Sequence, residues 1–121
     1  MKKIECLCEN VKAEDLKKSL YELNIGGFFM DTINAVAFKR DPENPQIKFV
    51  ERPRIKIEIF VKDEDVEKTV QILLDVIKKG VFGDGKIFIM PADDVIRVRS
   101  GERGPEMLCL PTDILKQFSE N

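Results

Sequence analysis

Gly83-Asp84-Gly85-Lys86 is the stretch whose residue types and spacing most directly suggest chemistry. Two glycines let backbone N–H groups come close to an anion, and the adjoining lysine adds positive charge, the arrangement of a phosphate nest. It is not a Walker A motif, because the spacing differs and no Ser or Thr follows the lysine. The same residues also suit an ordinary turn from a helix into a strand. Arg97 and Arg99 stand two positions apart. On a strand that spacing puts both guanidinium groups on one face, either to grip one anionic ligand or to stand as solvated edge charges. Together, a glycine nest and a strand carrying paired arginines point toward a polyphosphate site.

What the chain lacks narrows the chemistry further. It has no histidine, and its three cysteines, Cys6, Cys8 and Cys109, show no zinc-ribbon spacing. A disulfide framework, a histidine-containing metal centre and a histidine-based triad are therefore disfavoured, and no metal is expected. Cys6 and Cys8 share a strand face with Ile4 and read as core packing. An enzyme remains conceivable, with Lys86 and the arginines stabilising charge and Asp84 as base. No activated nucleophile accompanies them, so the expectation is a protein that is not an enzyme.

The elements that must position these residues follow from periodicity. A chain of 121 residues suits one domain, and 20 basic against 22 acidic side chains leave no electrostatic case for nucleic acid. No apolar run is long enough to cross a bilayer, and Glu5 and Glu9 interrupt any signal-peptide pattern, so a cytoplasmic protein is expected. Residues 2–8 alternate as a strand. Leu16, Leu20 and Leu23 recur at helical spacing, with Asn24-Ile25-Gly26-Gly27 as the stop. A second strand is expected from Phe28 to about Phe38. Residues 39–52, with Pro42, Asn44 and Pro45, read as a long exposed loop. Ile55, Ile57, Ile59 and Val61 mark a third strand. Asp63 is a candidate cap for a second helix with the apolar stripe Val66, Val70, Leu73, Leu74 and Ile77. Residues 87–90 and then 94–99 return to an extended pattern. The order β-α-β, loop, β-α-β predicts an α+β, ferredoxin-like fold with an antiparallel sheet and both helices on one face. Leu7, Phe29, Ile33 and Phe60 are left on the opposite face, where association of subunits would cover them.

From Arg54-Ile55-Lys56-Ile57-Glu58-Ile59, through Asp84-Gly85-Lys86-Ile87-Phe88, to residues 95–102 (Val-Ile-Arg-Val-Arg-Ser-Gly-Glu), the chain resembles the PII nitrogen-regulatory proteins. The opening Met1-Lys2-Lys3-Ile4-Glu5 matches too, and the stretch from Leu20 to Gly27 does so more loosely. The resemblance implies a PII-like domain over residues 1–102, a C-terminal extension over 103–121, and a homotrimer with ATP or ADP in clefts between subunits. By position, Gly83, Asp84, Gly85 and Lys86 would hold the phosphates, Arg97 and Arg99 would face them across the cleft, and Glu58 would pair with Lys86. Residues 39–52 correspond to the T-loop. Lys39, Arg40, Asp41, Glu43, Ile47 and Phe49 would there meet a regulated partner, such as a membrane transporter or metabolic enzyme. The implied function is regulation of a partner in response to adenine nucleotide, in nitrogen metabolism.

The chain departs from the family at informative places. Phe29, Ala35 and Ala37 stand where a threonine near the adenine and two glycines are usual. Lys39 replaces a glutamine that helps hold magnesium and 2-oxoglutarate, and a cation there repels the metal. Arg54 replaces a lysine. Little or no 2-oxoglutarate sensing is expected, and the alternative is a PII-like scaffold that has lost its effectors and acts as a constitutive binding module. Residues 39–52 contain no Ser, Thr or Tyr, which excludes uridylylation or phosphorylation of the loop. The tail, from Leu110 to Phe118, reads as a short capped helix with an apolar edge, or as a frayed end.

Overall fold

The computed structural model describes residues 1–77 and 85–111. The element order is β1 (Lys2–Cys8), α1 (Ala13–Glu22), β2 (Phe29–Arg40), β3 (Ile47–Val61), α2 (Val66–Ile77) and β4 (Lys86–Pro91). Short 3-10 turns at Asp63–Asp65 and Pro105–Leu108 complete it. The strands form one sheet in the order β2-β3-β1-β4 with antiparallel neighbours throughout. This is the expected double β-α-β arrangement, each unit split by a strand of the other.

Alternation along β1 and β3 decides the two faces. Ile4, Cys6 and Cys8 lie beside Ile59, Ile57 and Ile55, and all but Ile55 are fully buried. Leu16 and Leu20 of α1 and Leu73 and Ile77 of α2 close over them, making one core on the helix side of the sheet. Truncating a leucine in such a core costs about 2–5 kcal/mol. Thr69 shares that stripe, and its hydroxyl donates to the Asp65 carbonyl at 2.8 Å, which satisfies its only buried polar atom. Leu74, expected in the stripe, is instead 42% exposed.

Four local expectations need correction. Asn24, with φ at 60°, takes the left-handed conformation at the end of α1, and neither following glycine does. Its short side chain tolerates that backbone and accepts the Leu110 N–H at 3.1 Å. Asp63 does not cap α2; it lies in the preceding 3-10 turn and pairs with the Met1 amine at 2.9 Å. That amine holds the Asp63 carboxyl below the usual carboxylate range.

The segment 39–52 is mostly ladder rather than loop. β2 and β3 remain paired to Lys39↔Lys48 and Arg40↔Ile47, so only residues 41–46 form the turn. Phe38 and Phe49 meet across this ribbon, a pairing invisible to a reading that treats each segment alone. Finally, residues 94–99 are not a ladder strand. Ile96 and Arg103 form an isolated bridge around a tight bend, in which the Arg97 N–H donates to the Glu102 carbonyl and the Gly101 N–H to the Arg97 carbonyl, both at 2.8 Å.

Candidate functional site

Arg97 and Arg99 sit on that bend rather than on a strand, yet both line one open cleft of about 830 Å³. The segment after β4 leaves the β4 edge, where the Ala92 N–H donates to the Met1 carbonyl, and crosses to the β2 side of the sheet. Two anchors fix its far end. The Lys62 ammonium donates to Glu106 at 3.0 Å, and the Gly26 N–H donates to the Leu108 carbonyl at 2.8 Å. Ile25 and Cys109 bridge between these contacts. A Cβ on Gly26 would lie 2.9 Å from the Cys109 carbonyl oxygen, so a glycine is required for this close approach.

The cleft therefore combines two chemically different kinds of lining. Phe28, Phe29, Phe60, Met107, Leu108 and Pro111 supply apolar surface, and Arg97 and Arg99 supply charge. Phe29 is 66% exposed, an uncovered ring at the start of β2. The Arg97 guanidinium lies 3.7 Å from Glu102, which steadies it. Asp94, also on the cleft wall, accepts two hydrogen bonds from Arg103, at 2.8 Å from Nε and 2.6 Å from Nη2. These bonds hold its carboxyl below the usual range and close the bend that carries the arginines. Asp94 and Arg103 were not singled out from sequence; their spacing of nine residues carries no periodic signal.

Gly85 and Lys86 open β4, at the opposite edge of the sheet, and line a different cavity of about 350 Å³ between α2 and β4. Gly85 has φ of 113°, and a Cβ there would fall 1.6 Å from the Leu7 carbonyl oxygen. The first half of the nest, Gly83 and Asp84, lies outside the described residues. Within one chain, then, the arginines and the lysine border separate cavities.

Glu58 belongs to the open face of the sheet, where its partners within the chain are Lys56 and Lys3. It stands directly opposite Glu5 across the β1–β3 ladder. Two like charges in that position repel, and Lys3 and Lys56 offset them. Lys56 lies 3.0 Å from Glu58 and 4.0 Å from Glu5; Lys3 lies 3.5 Å and 3.7 Å from the same carboxylates. The hydrogen bond from Lys56 lowers the Glu58 pKa and raises that of Lys56. Phe29 and Phe88 flank this ion group in the same cross-strand row.

On the ribbon, Phe38 and Phe49 pack edge to face with centroids 5.3 Å apart, and each ring is 70% exposed. Ile47 is exposed beside them, while Lys39 and Lys48 pair on the opposite side. At the turn, Asp41 accepts the Glu43 N–H at 3.0 Å and lies 3.4 Å from Lys48. Phe38 was missed as a surface residue because it reads as the last apolar position of a strand. Among the described residues, no group of three or more potential ligands is placed to hold a metal ion. No described helix is long and apolar enough to cross a membrane.

Comparison with known proteins adds to this geometry. A family model described as Nitrogen regulatory protein P-II matches residues 1–102. The Nitrogen regulatory protein P-II of Azospirillum brasilense is 32% identical over 116 residues, covering 89% of this chain and 100% of its own length. A P-II homolog from Arabidopsis thaliana is 30% identical over 120 residues, covering 93% of this chain and 60% of its own. The solved structure of B. subtilis GlnK superposes with a TM-score of 0.79 at 28% identity, over 88% of this chain and 97% of that one. A B. subtilis GlnK–ATP complex gives 0.77 at 29% identity, over 88% and 96%.

Proposed function

The chain belongs to the P-II nitrogen regulatory protein family, and from that membership and the site geometry we propose a regulator that binds an adenine nucleotide between subunits and acts on a partner protein. One observation carries the reading. Arg97, Arg99 and an aromatic wall lie at the β2 edge of the sheet, while Gly85 and Lys86 lie at the β4 edge. Complementary half-sites on opposite edges of one subunit meet only when copies associate head to tail, and such an interface closes into a ring if its rotation allows. A threefold ring would join each Lys86 to a neighbour's arginine pair and cover the aromatics of the open face. ATP or ADP suits the joined site, with phosphates between the two cationic halves and the ring system against the apolar wall. The relative solved with ATP favours the same ligand.

The protruding ribbon, with Phe38, Phe49 and Ile47 on one side and Lys39 and Lys48 on the other, is the surface for the regulated partner. Arg40, Asp41 and Glu43 border it at the turn. A transporter at the membrane or a metabolic enzyme in the cytoplasm fits this role, and the chain itself is a regulator and not an enzyme.

The test is binding by mixed variants. Arg97→Ala and Lys86→Ala should each abolish calorimetric binding of ATP and ADP. Unfolding the two together and refolding should restore part of it, because some clefts then combine an intact lysine with an intact arginine. A monomer in sedimentation, or no heat with any adenine nucleotide, would remove the proposal. The second reading, a scaffold without an effector, is favoured by the bulk of Phe29 in the cleft and predicts partner binding unaffected by nucleotide.

A further inference from the structure

The outer ribbon carries a symmetric pattern on its Phe38–Phe49 face. β1 stops pairing with β3 at Cys8↔Ile55, so residues 33–40 and 47–54 run on as a two-stranded ladder past the end of β1. Alternation puts Val36, Phe38 and Arg40 of β2 on one face with Glu51, Phe49 and Ile47 of β3. The register sets them in three rows, Val36↔Glu51, Phe38↔Phe49 and Arg40↔Ile47, and all six residues are exposed. Val36, Phe38, Phe49 and Ile47 thus form a diagonal apolar stripe, with a base at one corner and an acid at the opposite one. Arg40 and Glu51 lie on different strands, about 13 Å apart along the ladder, with the aromatic pair between them.

This face is complementary to itself. Turn a second ribbon over about an axis that lies in the face and runs across the strands, and its row order reverses. Its Glu51 row then lies over the Arg40 row of the first, and its Arg40 row over the Glu51 row. The two Phe38–Phe49 pairs stack at the centre. A moderate crossing of the strands, usual between stacked sheets, brings each acid onto the opposing base. Under twofold symmetry every contact occurs twice.

We infer that this face is a homotypic contact, occupied by the same face of a second copy, with Arg40 of each ribbon paired to Glu51 of the other. The inference rests on the threefold ring proposed above. Threefold symmetry points the three ribbons of a ring the same way along its axis, so two rings meet through three ribbon pairs and close. A single pair of ribbons buries little surface, but three linked pairs act at high effective concentration. Pairing covers the face assigned to the regulated partner, so paired rings withhold it.

The test is sedimentation velocity of the full chain from low to high micromolar concentration, at low salt. The natural chain should pass from single-ring to double-ring mass as concentration rises. Arg40→Glu and Glu51→Arg should each hold it at single-ring mass, because the facing corners then carry like charges, and that mass also shows that each variant folds. The double variant Arg40→Glu, Glu51→Arg restores opposite charges and should double again. Phe49→Ala should raise the concentration needed for doubling by about 10-fold or more. A natural chain that keeps single-ring mass at every concentration overturns the inference and leaves the ring and nucleotide readings standing. Doubling that persists in both single variants, or fails to return in the double variant, also overturns it. If the natural chain sediments as a monomer, the ring reading fails, and this inference fails with it.

Discussion

Phe38 on β2 and Phe49 on β3 meet edge to face across the outer ribbon, their centroids 5.3 Å apart, although each ring is 70% exposed. Edge-to-face pairs contribute about 0.5–1.5 kcal/mol beyond their buried area. The contact lies far from the helices, so it stabilises the ribbon locally and not the core. Phe38→Ala or Phe49→Ala should leave the thermal midpoint nearly unchanged. Amide exchange should accelerate over residues 35–40 and 47–52, and the double variant should add little to either single one. Exchange unchanged in both variants would show that the ladder alone holds the ribbon.

Glu58 provides a pH-dependent element. Its folded pKa is lowered, chiefly by the Lys56 hydrogen bond, from an ordinary value of 4.5. A carboxyl lowered in this way contributes stability above its unfolded value and loses it as pH falls through the folded value. Lys56 is raised above 10.5 by the same contact, so its share is complete below that value and is lost at higher pH. Urea denaturation of the natural chain should therefore show falling stability below pH 4.5, with a smaller fall in Glu58→Gln.

Gly85 is held at φ of 113° with its Cα against the Leu7 carbonyl. An alanine there meets both an unfavourable backbone region, costing about 1–3 kcal/mol, and a backbone atom 1.6 Å from its Cβ. Gly85→Ala should destabilise by at least that amount in urea denaturation and displace the start of β4, weakening nucleotide binding through Lys86. Gly27→Ala is the control, because a Cβ there meets nothing within 4 Å and Gly27 has no positive φ.

The thiols should separate by burial. Cys6 and Cys8 are 2% and 0% exposed, and the Cys6 thiol is pushed up by its hydrogen bond with Cys8 and by burial. Cys109 is only partly covered, beside Lys62, and lines the cleft. Titration with a disulfide reagent should modify Cys109 rapidly in the folded protein, and Cys6 and Cys8 only after denaturation. Bound nucleotide should slow the reaction at Cys109.

Several of these features were legible in local sequence. Alternation assigned Ile4, Cys6 and Cys8 and, on β3, Ile55, Ile57, Ile59 and Val61 to one face, and helical spacing placed Leu16, Leu20 and Leu73 over it. The glycine–lysine start of β4 and the two arginines stood out by residue type alone. Each of these follows from burying one face of a single segment, a constraint that a short window of sequence already contains.

Other features depend on which segments meet. Polar spacing made residues 39–52 look like a loop, but cross-strand pairing extends the ladder to Arg40↔Ile47. Glu58 found Lys3 because the β1–β3 register set it beside β1, opposite Glu5. The chain after β4 recrosses the molecule, anchored at Gly26 and Lys62, and only that path puts Arg97 in one cleft with Phe29. The sequence by itself determined the faces, the element order and the charged candidates. Tertiary structure decided their partners, because register and crossover arise from contacts between residues distant along the chain.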